Sequence, residues 1–359
     1  MNDTTYAVHL TRHPVRHDAL REEQALAIVE SLMHDLAASS HGVDRTGNMV
    51  GEHLAAGGKR LRARLALAAS AALGGSMESA IPWAAACEVL HNASLVHDDV
   101  QDGDRVRRGQ PTTWVIHGVA QAINVGDLML MMPFLCLERL NTDNGTRWLL
   151  SRLLARAAAE TVRGQSAEMD LLPRRRLAVS DYISVIEGKT AALFGMPVQG
   201  AALLAGLSEQ QADQLAMPFR LLGQLFQLQD DVLDLYGEKG RDCSGSDLRE
   251  GKVSALVVEH IVRRPNDISR LLTLLETPRE STSDAEVAWA IDAFARSGAL
   301  LAVLDRIDGL ASSIRANRAL EAWPQLRQTA SMLVTRCLQP IQHLTPPTSG
   351  VHEERSAHV

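Results

Sequence analysis

Two acidic clusters of one form stand far apart in this chain, Asp98-Asp99-Val100-Gln101-Asp102 and Asp230-Asp231-Val232-Leu233-Asp234. Each lies in an apolar stretch of helical periodicity. Residues i and i+4 share a helix face, so Asp98 lies under Asp102 and Asp230 under Asp234. The middle acids, Asp99 and Asp231, point about 100° off that line. Carboxylates held so close repel one another unless cations neutralise them. An all-oxygen set lacking Cys and His suits hard divalent ions, and Mg²⁺ bridging a diphosphate is the usual case. The alternative is a solvated helix face, and it would have to be invoked twice.

Phosphate oxygens left uncovered by metal need cations. Gly57-Gly58-Lys59-Arg60-Leu61-Arg62 opens a helix. Its glycines permit close backbone approach and a helix N-terminus favours an anion, although such a start taken alone also reads as solvated surface. Arg107-Arg108-Gly109 follows the first acidic cluster after a short turn and either serves a phosphate or pairs with the neighbouring acids. His91 precedes Asp98 by two turns on the same face, about 10 Å away. It either donates to a phosphate or is a satisfied interior group. Gly188-Lys189-Thr190 and Gly251-Lys252 are further candidates.

These motifs occur in one order with Gly126-Asp127, Phe226-Gln227-Leu228-Gln229 before Asp230, and Gly245-Ser246-Asp247-Leu248-Arg249-Glu250-Gly251-Lys252. That order and spacing, over roughly residues 50–260, resemble the trans-polyprenyl diphosphate synthases. The resemblance implies an all-α, single-domain isoprenoid-synthase bundle around a central cavity, usually a homodimer. It implies a prenyltransferase that condenses isopentenyl diphosphate with an allylic diphosphate, with two or three Mg²⁺ ions per site. Carried over, Asp98, Asp99, Asp102, Asp230, Asp231 and Asp234 would bind those ions. Arg107, Lys189 and Lys252 would contact the allylic diphosphate. Lys59, Arg62, His91 and Arg108 would hold the diphosphate of isopentenyl diphosphate. Thr190 and Gln227 would line the reaction centre, and Asp247 would support metal-bound water. Two positions depart from the family pattern: Ala63 stands where Pro is common, and Asp242, beside Arg241, stands where the loop often has Lys.

Product length in this family follows cavity depth. Ala93 and Ser94, at positions where short-product members often carry an aromatic block, are small. In Leu128-Met129-Leu130-Met131-Met132-Pro133-Phe134, Met129 and Met132 either form a lower floor or are ordinary core. The expected product is the twenty-carbon geranylgeranyl diphosphate; fifteen carbons, or twenty-five and longer, are the alternatives. A terpene cyclase would usually carry a different second motif. An HD-type phosphohydrolase, suggested by His97-Asp98 with His91, would need more His ligands and leaves the second cluster unexplained. A noncatalytic synthase subunit commonly loses aspartates from one motif, and both are intact here.

The elements that must position these groups are helices. Periodic segments run at 18–38, 43–56, 60–73, 82–103, 117–140, 146–169, 180–204, 209–236, 252–263, 266–276, 284–296, 299–319 and 323–338, with no strand alternation or hairpin signal. Pro82 suits a first turn, while Pro133, Pro197 and Pro218 predict kinks or breaks. Residues 1–17 read as a flexible segment, 18–340 as one synthase domain and 341–359 as a polar, disordered tail. A net charge of -7 argues against nucleic-acid binding. The four cysteines form no CxxC or zinc spacing, which favours a reduced, cytoplasmic setting. No signal peptide and no uncharged apolar run long enough to cross a bilayer is read from the sequence.

Overall fold

The computed structural model describes residues 14–38, 44–172, 177–237 and 245–344, with backbone alone for 14–20. Arg241, Asp242, Cys243 and most of the expected tail lie outside the described residues. The architecture is all-α. In chain order the helices are α1 (Pro14–Ala37), α2 (Arg45–Ala55), α3 (Leu61–Ala72), α4 (Met77–Gln101), α5 (Thr113–His117), α6 (Val119–Glu138), α7 (Asn144–Met169) and α8 (Val179–Ile186). There follow a π-helical turn (Glu187–Ala191), α9 (Ala192–Leu204), α10 (Glu209–Tyr236), α11 (Ser246–Arg249), α12 (Ala255–Arg263), α13 (Ile268–Glu276), α14 (Asp284–Arg296), α15 (Ala299–Arg315) and α16 (Pro324–Leu338).

The chain divides into two compact units. The first comprises residues 1–165, 187–223 and 317–329, and the second 166–186, 224–316 and 330–359. In the first unit α4 is central, packing against α1, α3, α6 and α9. Its residues from Ala80 to Leu90 are all buried, the mark of a helix surrounded on every side. Trp83 anchors it: the indole N–H donates to the Pro197 carbonyl oxygen at 2.9 Å, and the ring lies over Gly200. A Cβ on Gly200 would stand 2.0 Å from the Trp83 ring, so this helix crossing requires glycine. In the second unit α12 occupies the corresponding place, packed against α8, α14 and α15. His260, on α12, is buried between Ser297 and Asp267, with nitrogen–oxygen distances of 2.9 and 3.0 Å.

Several expectations need correction. Helix α4 starts at Met77, because the Ser76 hydroxyl caps it by accepting from the Ser79 N–H at 3.0 Å. Pro82 therefore lies inside the helix. Of the kinks or breaks expected at Pro133, Pro197 and Pro218 there is no break: α6, α9 and α10 run through them, and all three prolines are buried, so packing outweighs the lost hydrogen bond. A short antiparallel hairpin pairs Val106–Arg107 (β1) with Gln110–Pro111 (β2). Its turn residues Arg108 and Gly109 have φ of 55° and 76°, as a type I′ turn requires. Arg at the first position hides the usual Asn-Gly or Asp-Gly signal. Helix α6, which carries Asp127 and Glu138 and so is no uncharged run, is nevertheless long and apolar enough to cross a membrane; it packs on α2, α4 and α5. At the ends, α1 begins at Pro14, and a 3₁₀ turn carries Gln339–Leu344 beyond α16.

Gly200→Ala is expected to destabilise the protein by ~1–3 kcal/mol through overpacking against Trp83. Gly309→Ala, at an exposed position on α15 where a new Cβ meets nothing, is expected to stabilise by ~0.5–1 kcal/mol. Chemical denaturation of both variants checks the contrast.

Candidate active site

Helix α4 delivers the first acidic cluster at its C-terminal end. Asp102 is the C-cap, its N–H bonding back to the Asp98 carbonyl oxygen at 2.8 Å. Asp98 and Asp102 are half-buried, whereas Asp99 is 1% exposed. The hairpin folds Arg107 back onto the cluster. Its Nε–H donates to Asp99 Oδ1 at 2.5 Å, and its Nη2 lies 3.8 Å from Asp98 and 3.5 Å from Asp104. Burial pushes the Asp99 carboxyl up to about 6, with Arg107 opposing and the neighbouring acids adding to the rise. From another direction Lys189 Nζ reaches Asp98 Oδ1 at 3.3 Å.

Lys189 is delivered by the π-helical turn, the widened geometry that often marks a functional site. The turn abuts α7 at a glycine pair. A Cβ on Gly164 would stand 2.2 Å from the Lys189 nitrogen, and one on Gly188 would stand 2.9 Å from the Glu160 carbonyl oxygen. Thr190, next in the turn, is buried. Gly126 has a similar reason: a Cβ there would meet the His97 ring at 2.2 Å. His97 Nε2 then lies 3.5 Å from Asp127, so both halves of the Gly-Asp pair and the His before Asp98 serve one contact.

A cationic cradle stands beside the cluster in the same unit. The chain enters α3 through Gly57 and Gly58 (φ 79° and 133°) and through Arg60 in a left-handed conformation (φ 48°). Arg60 is structural: it donates to Glu30 at 2.8 Å and to the Leu54 carbonyl oxygen at 2.6 Å. Arg62 is half-buried against the Phe194 ring, 4.5 Å from its centroid, with its Nε shielded and unpartnered among the described residues. Burial pulls the Arg62 guanidinium down to about 10, with Glu88 opposing. Arg108 donates to the Gly57 carbonyl oxygen, and its guanidinium occupies the place a Gly58 side chain would fill. His91 has an unpartnered Nδ1, and burial followed by Arg62 and Arg108 holds the ring well below its ordinary range. Lys59 is exposed at the rim.

Sequence reading missed Glu88. Its carboxylate is 1% exposed and accepts from the Ala63 N–H at 3.1 Å, on the first turn of α3. A buried acid three residues before His91 was the available signal. A cavity of about 470 Å³ opens in this unit, bounded by α2, Asp99, the hairpin and α5. Arg107 and Arg108 line it; Lys59, Arg62 and His91 do not.

The second acidic cluster lies on α10 within the second unit. Asp230 is exposed, while Asp231 and Asp234 are buried and engaged. Asp231 accepts from Tyr182 Oη at 2.5 Å, the Ala255 N–H at 2.7 Å and the Gln227 amide at 3.3 Å. Burial pushes its carboxyl up to about 7 against those three donors. Asp234 accepts from the Ser246 and Asp247 N–H groups at 3.1 and 3.2 Å, capping α11. The two acids thus hold both ends of the segment that carries Asp247 and Lys252. Burial and then Asp234 drive the Asp247 carboxyl well above its usual range. Lys252 lies 3.0 Å from Glu250, which also takes Arg279 at 2.5 Å. Tyr182, seven residues before Lys189, was not foreseen; an isolated Tyr on an apolar helix face reads as core.

These residues fit divalent metal. Among the described residues Asp99 Oδ2 is buried with no hydrogen-bond donor, and Asp98 Oδ1 has the Lys189 ammonium at 3.3 Å. Among the described residues no three candidate ligands form a closed cage. Mg²⁺ does not need one, because it commonly takes one or two carboxylates and completes its shell with water and substrate phosphate. Of the chain-length candidates, Ala93, Met129 and Met132 are fully buried, and Ser94 is half-buried with its hydroxyl donating to the His91 carbonyl oxygen at 2.7 Å.

Comparison with known proteins places the chain in one family. The polyprenyl synthetase family model matches residues 45–294. A geranylgeranyl diphosphate synthase of Methanosarcina mazei is 37% identical over 205 residues, covering 56% of this chain and 63% of that protein. A short chain isoprenyl diphosphate synthase of Methanocaldococcus jannaschii is 32% identical over 268 residues, covering 74% of this chain and 81% of that protein. Among solved structures, a polyprenyl synthase of Caulobacter crescentus, complexed with calcium and isoprenyl diphosphate, superposes with a TM-score of 0.76 at 30% identity, covering 88% of this chain and 94% of that one. With two DDxxD clusters, a Gly-Gly-Lys-Arg helix start and this match, the chain belongs to the polyprenyl synthetase family of prenyltransferases.

Proposed function

We propose that the protein condenses isopentenyl diphosphate with an allylic diphosphate in a Mg²⁺-dependent reaction and releases mainly the twenty-carbon geranylgeranyl diphosphate. The observation that carries the reading is the position of Arg107 and Lys189, folded onto the first acidic cluster. Three like-charged carboxylates and two cations largely offset one another there, leaving one negative charge. When a metal-bound diphosphate arrives, the carboxylates can turn to metal and the two cations to phosphate, so no charge is left bare. We assign Asp98, Asp99 and Asp102 in the first unit and Asp230, Asp231 and Asp234 in the second to the metal, with two or three ions per site. Asp99, Asp231 and Asp234 hold Arg107 and the Asp247–Lys252 segment in place. Bound Mg²⁺ would supply Lewis-acid stabilisation of the leaving diphosphate.

The chain's own groups do the rest. Arg107, Lys189 and Lys252 would stabilise negative charge as the allylic C–O bond breaks. Lys59, Arg62, His91 and Arg108 would hold isopentenyl diphosphate so that its double bond attacks the allylic cation. Loss of a proton to the departing diphosphate restores an allylic product. Thr190 and Gln227 would border the reacting carbons. Product length rests on small Ala93 and Ser94 and on Met129 and Met132 as a floor.

Partner and setting follow from the surface. On α6, Val119, Ile123, Met131 and Leu135 form one stripe at i, i+4 spacing, interrupted by Asp127, with Phe134 beside it; all are exposed. We assign this face to a second copy of the chain. Among the described residues Cys87 and Cys136 are buried free thiols, in keeping with a cytoplasmic enzyme.

Asp98→Ala is expected to cut turnover about a hundredfold or more while far-UV circular dichroism is unchanged; full activity would remove the metal assignment. Incubation with Mg²⁺, labelled isopentenyl diphosphate and primers of several lengths, followed by chromatography of the dephosphorylated alcohols, is expected to give the twenty-carbon alcohol. A ladder of longer alcohols would refute the Met129–Met132 floor, and a fifteen-carbon product would refute the open upper cavity. In light scattering the protein is expected to run as a dimer, and Met131→Glu with Phe134→Glu as a monomer.

A further inference from the structure

The cavity bounded by α2 and the hairpin contains a residue that none of the motifs includes. His53, on α2, lines it together with Arg107 and Arg108. Among the described residues its Nε2 is shielded from solvent and has no hydrogen-bond partner, while the Asn92 side chain stands beside the ring. A shielded polar atom without a partner is uncommon in a native interior and asks what would satisfy it. Here the surroundings point to an anion. Arg107 and Arg108 face His53 from the hairpin and Arg60 from the start of α3, and His91 and Asn92 face it from α4. Asp99 on α4, Glu52 on α2 itself and His117 on α5 complete the cavity's titratable groups; Glu52 and His117 pair at 2.7 Å. From α1, Glu30 is taken by Arg60, and from α6, Asp127 by His97. The remaining field at His53 is positive.

We propose that His53 is a further binding residue for the diphosphate of isopentenyl diphosphate, entering the site neutral and taking up a proton from solvent as the anion arrives. This rests on the reading of the Lys59–Arg62–His91–Arg108 cradle as the isopentenyl diphosphate site. Burial, then Arg108 and Arg107, hold the ring down to about 4, with Asn92 the neighbour that favours its charged form. A diphosphate on those same arginines reverses the field, so the folded ring's affinity for a proton rises on binding. Protonation makes both ring nitrogens donors, and Nε2 then offers a phosphate oxygen a charge-assisted hydrogen bond. The proton returns to solvent when the anion leaves. Arg108 belongs both to the cradle and to the lining of this cavity, and it is there that the two meet. The device also limits charge: a permanent cation beside Arg60, Arg107 and Arg108 would strain the empty site, whereas a histidine charges only when the anion is present.

The test titrates isopentenyl diphosphate calorimetrically into the full-length enzyme with Mg²⁺ and no primer, near neutral pH, in two buffers of different ionisation enthalpy. Wild type is expected to take up more protons per bound ligand than His53→Gln, by about half a proton. In steady state, His53→Gln is expected to raise KM for isopentenyl diphosphate about tenfold while KM for the allylic primer stays within about twofold. His53→Asn, a smaller neutral replacement, is read by the same split should the glutamine variant fold poorly. Equal proton uptake in wild type and variant, or an unchanged KM for isopentenyl diphosphate, overturns the proposal. Lys59→Ala separates the two levels: if that variant also binds isopentenyl diphosphate as wild type does, the assignment of the cradle fails and the role of His53 fails with it.

Discussion

Like charges crowded into a partly buried surface repel, and the rest of this architecture answers that one constraint. A carboxylate out of water costs several kcal/mol unless opposite charge or hydrogen-bond donors replace its hydration. The two acidic clusters use different replacements. On α4 the counter-charges are side chains, Arg107 from a hairpin and Lys189 from a π-helical turn. On α10 they are mostly hydrogen bonds: Tyr182, Gln227 and the backbone N–H groups of Ser246, Asp247 and Ala255. Side-chain cations can swing to a new partner, whereas backbone donors are fixed. The α4 cluster is thus the one built to exchange partners, and the α10 cluster the one built to hold a loop.

The same logic organises the cradle. Arg62 and Arg108 are drawn together with two histidines that burial and the arginines hold neutral while no anion is bound, and buried Glu88 offsets part of the positive field. Glu88 also accepts from the first turn of α3, so one carboxylate serves both a helix N-terminus and a guanidinium. An isolated reading of Arg62 as a phosphate ligand leaves out this partner. Without Glu88 the buried cation would face burial unaided.

How much of this was legible in the sequence depended on whether the signal was periodic, local or distant. Helices such as α7 and α10 were legible because apolar periodicity is redundant over many turns. The acidic clusters were legible because the chemistry needs an unusual run of one residue type. The hairpin was not, since Arg108-Gly109 lacks a standard turn signature and its strands are two residues each. Buried prolines ended no helix for a physical reason: propensity prices the local hydrogen bond and not the packing around Pro133, Pro197 and Pro218. Tyr182 and Glu88 were missed because their partners, Asp231 and Ala63, are distant in sequence. A lone polar residue on an apolar face carries no mark of what it meets.

Two non-glycine residues, Arg60 and Arg108, are held at positive φ, which costs of order 1 kcal/mol or more each. Each is over-determined by its surroundings. Arg60 is clamped between Glu30 and the Leu54 carbonyl oxygen, and Arg108 sits in a tight turn with its guanidinium on the Gly57 carbonyl oxygen. Together they bracket the cradle, one at the entry to α3 and one at the hairpin tip. Glycine at either position would relieve the strain but remove the guanidinium that fixes the chain path. Strain in the backbone is therefore the counterpart of order in the charges: the arginines accept a poor conformation because the conformation is what aims them. Gly58 completes the bracket from the other side, since any side chain there would displace the Arg108 guanidinium. The Gly-Gly-Lys-Arg run and the Arg-Arg-Gly turn are thus two halves of one geometric requirement.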